Sequence, residues 1–79
     1  MCYKVSVYNK SNKQFATYDK IHTINCVNGL GDVEETITGE DMLTHTFLTG
    51  YDYQLLSDTG NYAISSSVIG TMQVEKVVY

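Results

Sequence analysis

The chain contains no arginine, no proline and no tryptophan, and it has only two cysteines, Cys2 and Cys26. Each shortage excludes something. Base readout in nucleic acids leans on the bidentate fork of arginine, and sequence-independent binding depends on cations that displace counterions from phosphate. With five lysines and no arginine, direct nucleic-acid binding is not expected. Two cysteines 24 positions apart make neither a disulfide framework nor a zinc knuckle, so reduced thiols are expected, at least one of them buried. No apolar run approaches the roughly 18 residues that a bilayer span needs, and MCYKVSVYNK has neither an apolar h-region nor a cleavage pattern. A cytoplasmic protein without membrane contact is expected. No proline-rich linker, repeat or low-complexity tract interrupts the chain, which reads as one domain over 1–79.

What is present is 43% hydrophobic and 18% charged over 79 residues, the balance of an ordered chain. At this size folding hides only roughly 60% of the unfolded surface, so the core is thin and a partner or a second copy would help to complete it. The net charge of −4 is unevenly placed. Lys4, Lys10, Lys13 and Lys20 precede position 21, whereas residues 21–75 carry Asp32, Glu34, Glu35, Glu40, Asp41, Asp52, Asp58 and Glu75 with no cation. An acidic surface steers basic partners toward it; a solvated acidic face that keeps the protein soluble explains the same residues.

Periodicity points to strands. Tyr3, Val5 and Val7 alternate with Lys4 and Ser6 over 2–9, a turn follows at Asn9–Lys13, and 14–19 returns as a hairpin partner. A strand is expected at 21–27, a tight loop at 28–32 (NGLGD), and a short edge strand at 33–37 whose Glu34 and Glu35 discourage unwanted pairing. Thr38-Gly-Glu-Asp41 fits a capping box, Met42, Leu43, Phe47 and Leu48 form an apolar stripe, and Gly50 suits a left-handed stop. These predict a helix over about 39–49. The final third reads as an antiparallel meander of strands at 51–57, 61–69 and 71–79, with Tyr62, Ile64 and Val68 on one face and Met72, Val74 and Val78 on another. The expected fold is α+β, a mostly antiparallel sheet of about five to six strands with one short helix packed on it.

The candidate sites are few. His22 and His45 lack a third ligand and an orienting partner, and His45 is expected to face water, so neither metal binding nor base catalysis is read from them. NGLGDVEETITGED holds two glycine turns and five acids without the EF-hand spacing, and Gly29-Leu-Gly31 lacks the lysine and serine or threonine of a phosphate loop. No cofactor, no metal and no enzymatic activity are expected. Seven tyrosines suit interfaces because they offer large amphipathic contact area, and they equally suit strands for packing alone. Packing is favoured for Tyr3 and Tyr62, whereas Tyr8, Tyr18, Tyr51, Tyr53 and Tyr79 remain candidates for partial exposure. The expected partner-binding surface comprises Asp32, Glu34, Glu35, Glu40, Asp41, Tyr51, Asp52 and Tyr53. A closing strand, QVEKVVY, with no charge after it to blunt its edge, invites pairing with a second copy.

The runs CYKVSVYNKSNKQFATYD and YQLLSDTGNYAISSSVIGTMQVEKV, with the acid-rich middle between them, resemble small accessory proteins of phages and prophages of low-GC Gram-positive bacteria in size, composition and strand-turn-strand style. That resemblance implies a non-enzymatic protein that engages a host or phage macromolecule, an inhibitor of a host nucleic-acid or defence enzyme among them. It carries over no site residue. The other expectations are an assembly subunit built through strand edges and an oligomer that sequesters a small ligand.

Overall fold

The computed structural model describes residues 2–47 and 50–77. Strands β1 (Cys2–Tyr8), β2 (Gln14–Val27) and β3 (Val33–Thr38) are followed by the one-turn helix α1 (Asp41–Thr44) and by β4 (Asp52–Ser57), β5 (Asn61–Ile64) and β6 (Thr71–Val77). The six strands form one sheet, all its pairs antiparallel, in the order β5-β4-β2-β1-β6, with β3 also paired to β2. The expected α+β class, with one short helix packed on a mostly antiparallel sheet, is the observed one. No helix among the described residues is long and apolar enough to cross a membrane.

The two strands expected at 14–19 and 21–27 are one 14-residue strand. Its continuity survives because it bends. Against β1, the step from Tyr18 to Ile21 faces only Val5 to Tyr3, so the Asp19–Lys20 pair carries an extra residue, and Lys20 takes a left-handed φ of 58°. Against β4, His22 is the extra residue. Such bulges kink a strand and tighten its twist. The first half of β2 therefore pairs β1, and the second half pairs β3 on that same edge and β4 on the other.

The two β-hairpin loops at 9–13 and 28–32 are built alike. Asn9 Oδ1 accepts the backbone N–H groups of Ser11 (2.9 Å) and Lys13 (3.0 Å), and Asn28 Oδ1 accepts those of Leu30 (2.9 Å) and Asp32 (3.1 Å). The fourth residue of each loop is left-handed, Asn12 at 62° and Gly31 at 86°. These are asparagine-organised turns with a left-handed closing residue, which suits the twist of the flanking strands.

The helix expected over 39–49 is a correction. It holds a single turn, Glu40 rather than Thr38 occupies the N-cap position, no side chain caps it, and His45 is already extended. Thr38 instead ends β3, and Gly39 turns the chain with φ 58°. Thr44 and Thr46 are poor helix formers, and the extended segment brings Phe47 against the core. Only Met42 of α1 is buried, where the helix bridges β3 and β6. Leu48 of the expected stripe lies outside the described residues.

The expected meander is also corrected. The β4–β5 hairpin forms, closed by Ser57, whose Oγ donates to Gly60 O (2.6 Å) and accepts from Gly60 N (3.0 Å). β5 stops at Ile64 instead of running to 69, and β6 crosses the sheet to pair β1. Ile64 and Ile69 are buried whereas Val68 is exposed, so the expected alternation breaks in the 65–68 turn. Tyr62, expected in the core, is 40% exposed and rests against Tyr18 with ring centroids 4.8 Å apart. Met72 and Val74 do pack inward; Val78 and Tyr79 lie outside the described residues.

The core consists of Tyr3, Val5 and Val7 of β1, Ile21, Ile24 and Cys26 of β2, Ile37, Met42, Tyr53 and Leu55, closed by Ile64, Ile69 and Met72. Each fully buried aliphatic side chain contributes roughly 1.5–3 kcal/mol relative to exposure. A further tie joins the β3–α1 turn to β6, where Lys76 Nζ donates to Glu40 Oε1 at 2.7 Å. That pair holds the Glu40 carboxyl below, and the Lys76 ammonium above, their ordinary ranges, in each case through the mutual hydrogen bond first and charge second.

Two predictions follow from this packing. A Cβ on Gly70 would sit 2.3 Å from Asn9 O, while one on Gly29 would meet nothing within 4 Å. Gly70→Ala is expected to lower the unfolding free energy by about 1–3 kcal/mol and Gly29→Ala to change it by less than about 0.5 kcal/mol, both read by urea denaturation. For the Glu40–Lys76 tie, the depressed carboxyl contributes stability above its unfolded pKa that is lost as pH falls through the folded one. The raised ammonium contributes below its unfolded pKa, and that is lost as pH rises through the folded one. Glu40→Gln is therefore expected to lower Tm slightly at neutral pH and to match the parent protein in acid, which parallel thermal melts across pH would check.

Candidate functional site

The β3-β2-β4 register builds a site that residue spacing alone does not reveal. Glu35 faces Cys26 across β2, Cys26 faces Tyr53 across β4, and Tyr53 faces Ile64. The adjacent row on the opposite face is polar: Thr36 Oγ1 donates to Asn25 Oδ1 (2.9 Å), and Asn25 Nδ2 donates to Gln54 Oε1 (3.3 Å). Glu35 thus stands on the core side of the sheet at its β3 margin. Between Glu35↔Cys26 and Val33↔Val27 lies an extra residue, Glu34. A bulge re-aims its side chain, and both consecutive glutamates line one hollow.

That hollow has a volume of about 110 Å³ and is lined by Cys26, Glu34, Glu35, His45, Thr46, Tyr51 and Tyr53. Cys26 and Tyr53, 6% and 1% exposed, form its floor. Tyr51 and His45 are half-buried walls, and Glu34, Glu35 and Thr46 make an exposed rim. A shallower hollow of about 380 Å³ adjoins it, sharing Glu35, His45 and Thr46 and adding Asp41. The walls are fixed by a series of rings: His45 meets Phe47 edge-on at 5.0 Å, and Phe47 meets Tyr53 edge-on at 5.6 Å. Such tilted contacts are favourable ring geometries.

The electrostatics are negative throughout. The Tyr51 hydroxyl titrates above an ordinary tyrosine, chiefly because of the Glu34 charge and then through its hydrogen bond to Glu34. Burial pushes the Cys26 thiol up, Glu34 and Glu35 add to that, and a hydrogen bond from Tyr53 opposes it. Cys26 is therefore a thiol near neutral pH, and the thiolate that nucleophilic chemistry needs is disfavoured. His45 Nε2 lies 3.8 Å from Glu35 Oε1. Among the described residues no group of three or more His, Cys, Asp or Glu side chains is arranged to hold a metal ion.

Of the residues expected to bind a partner, Glu34, Glu35, Tyr51 and Tyr53 meet at the inner hollow and Asp41 at the outer one. Tyr53 is a correction in one respect: it is buried, so a partner reaches it only from within the hollow. Glu40 is drawn away to Lys76. The Asp52 carboxylate accepts the Ser66 N–H at 2.6 Å and organises the turn after β5. Asp32 closes the 28–32 loop through its backbone, its carbonyl accepting from Asn28 N at 2.9 Å. Cys26, His45 and Thr46 were not among the residues expected at this surface. His45, expected to face water, has a side chain only 24% exposed, because the extended segment after α1 turns it onto Phe47. Alternation within β2 would have put Cys26 beside Ile24; the neighbours across β3 and β4 were not legible. Lys10 and Lys13 occupy the β1–β2 loop, at the end of β2 opposite Val27.

No family model, no curated protein and no solved structure matches this chain.

Glu34→Gln is expected to return the Tyr51 hydroxyl toward an ordinary tyrosine titration and to leave the other tyrosines unmoved. Ring-labelled tyrosine NMR across alkaline pH, assigned with Tyr51→Phe, checks this. Because the folded-state pKa is raised, the proton is lost first in the unfolded chain, so this group's contribution to stability fades as pH rises through that range.

Proposed function

We propose that the protein is a non-enzymatic protein-binding module that engages a basic surface of its partner through the acid-rimmed hollows between β3, β4 and the segment following α1. The observation that carries this reading is the bulge at Glu34, which turns two adjacent carboxylates toward one ring-lined hollow. An exposed acidic rim around a partly desolvated pocket accelerates encounter with a cationic surface and fixes its register. The thiol form of Cys26 argues against a cysteine nucleophile, and the lysines of the 9–13 loop lie at the far end of β2. The resemblance to phage accessory proteins suggests a host nucleic-acid or defence enzyme as the partner, with inhibition as the outcome.

The test is fluorescence anisotropy with a labelled lysine- and arginine-rich peptide, its charge-reversed counterpart and duplex DNA, at low and at physiological salt. Binding of the basic peptide alone is expected, weakening as salt rises and abolished by Glu34→Lys with Glu35→Lys. Binding indifferent to that reversal, or tight association with DNA at physiological salt, would overturn the reading.

A second reading, self-assembly through strand edges, is favoured by the place of β6 at the end of the sheet, with β1 as its one strand partner among the described residues. Light scattering that shows a monomer at high concentration would dismiss it.

A further inference from the structure

We infer that the outer edge of β6 pairs with the same edge of a second copy of this chain, antiparallel about a two-fold axis at Val74, so that one sheet runs through two molecules. This rests on the second reading above, self-assembly through strand edges, and names the edge, the partner and the register.

Three strands have a single strand partner among the described residues: β5 on β4, β3 on β2 and β6 on β1. Free edges are ordinarily blunted by shortness, by a bulge or by charge. β5 is four residues long, and β3 carries adjacent glutamates and a break in register. β6 has none of these devices. Its seven residues pair with β1 without a bulge, from Cys2↔Val77 to Tyr8↔Thr71, and the chain contains no proline to interrupt it. Its charges are engaged within the molecule: Glu75 Oε2 lies 3.9 Å from Lys4 Nζ, and Lys76 Nζ reaches Glu40 Oε1 at 2.7 Å. A hollow of about 360 Å³ marks where this edge is open. β6 directs Met72 and Val74 toward the core, opposite Val7 and Val5, and Gln73 and Glu75 to the other face. All four line the hollow together with Leu43 and Phe47, so it runs along the edge rather than beneath either face. Leu43 is 40% exposed and gains cover from an arriving strand.

The strand's own sequence selects the register. A two-fold axis perpendicular to the sheet keeps each face on its own side, so a residue can oppose only itself or one an even number of positions away. Centring on Val74 overlaps the whole of Thr71–Val77: Val74 meets Val74, Gln73 meets Glu75, and Met72 lies against the alkyl stem of Lys76. Cross-strand apolar pairs favour association, and like charges directly opposite resist it. Centring on Glu75 would set two carboxylates against each other, and centring on Gln73 would shorten the overlap. One strand edge is small beside the interfaces of permanent dimers, so the association is reversible and grows with concentration.

The experiment combines sedimentation equilibrium with amide-detected NMR of the whole protein over a concentration series. A dimer is expected, with concentration-dependent shifts along Thr71–Val77 and at Leu43 and none along β3 or β5. Gln73→Lys, at an exposed position, sets a cation opposite Glu75 of the second copy, once on each side of the axis, and is expected to tighten the dimer about fivefold. Gln73→Glu sets carboxylates opposite each other and is expected to weaken it by about the same factor. A monomer at every concentration would overturn the inference and the second reading with it. A dimer whose shifts fall on β3 or β5, or one that both substitutions weaken or neither affects, would overturn the inference and leave assembly through strand edges standing.

Discussion

One strand carries the architecture. β2 has to serve three neighbours, and a regular strand has only two edges, so it divides its length and bends between the halves. The left-handed Lys20 and the extra residue at His22 do this, and the consequence is visible in the burial pattern, where Ile21 and Ile24, three positions apart, both enter the core. Without the bend, β1 and β3 would lie along one straight edge and their apolar faces would not enclose a common interior. The gain is a core shared by strands from both ends of the chain.

The site is a by-product of the same geometry. Because β3 and β4 flank the second half of β2, a glutamate, a cysteine and a tyrosine from three separate segments stand in one row. At that margin α1 bridges β3 and β6 with Met42 alone buried, and the hollow lies between β3 and the segment that follows the helix. The space left over is closed by rings and open to charge. The Glu34 charge holds the proton on Tyr51, whereas Cys26 keeps its proton chiefly through burial, with Glu34 and Glu35 adding to that.

Much of this was legible in the sequence, and the exceptions share a cause. Local signals served well: alternation in β1, the asparagine-led loops at 9–13 and 28–32, the break between the strands expected at 51–57 and 61–69, and the charged edge at Glu34–Glu35 all depend on neighbours in the chain. The helix over 39–49 failed because capping and stripe rules describe what a segment favours in isolation, whereas the fold needed His45 and Phe47 extended to wall off Tyr53. The meander failed because nothing in 61–79 announces that β6 prefers β1 to β5. Tyr53 was misjudged, and Cys26 with His45 left out of the surface, because cross-strand register and the chain path after α1 decide them, and a one-residue bulge changes that register without leaving a mark in composition.

The pairing of β1 with β6 puts Cys2 opposite Val77, so two segments separated by nearly the whole chain are adjacent in the sheet. Hairpins such as β4–β5 close short loops early, but this contact requires the longest closure in the molecule and repays its entropy only when most other strands are in place. Until then the outer edge of β1, apolar on its inner side and lacking its ladder partner, is bare. During folding an incomplete sheet therefore exposes the β1 edge as a template for misassembly that β6 covers in the finished molecule, where the edge presented at that end of the sheet is that of β6 itself.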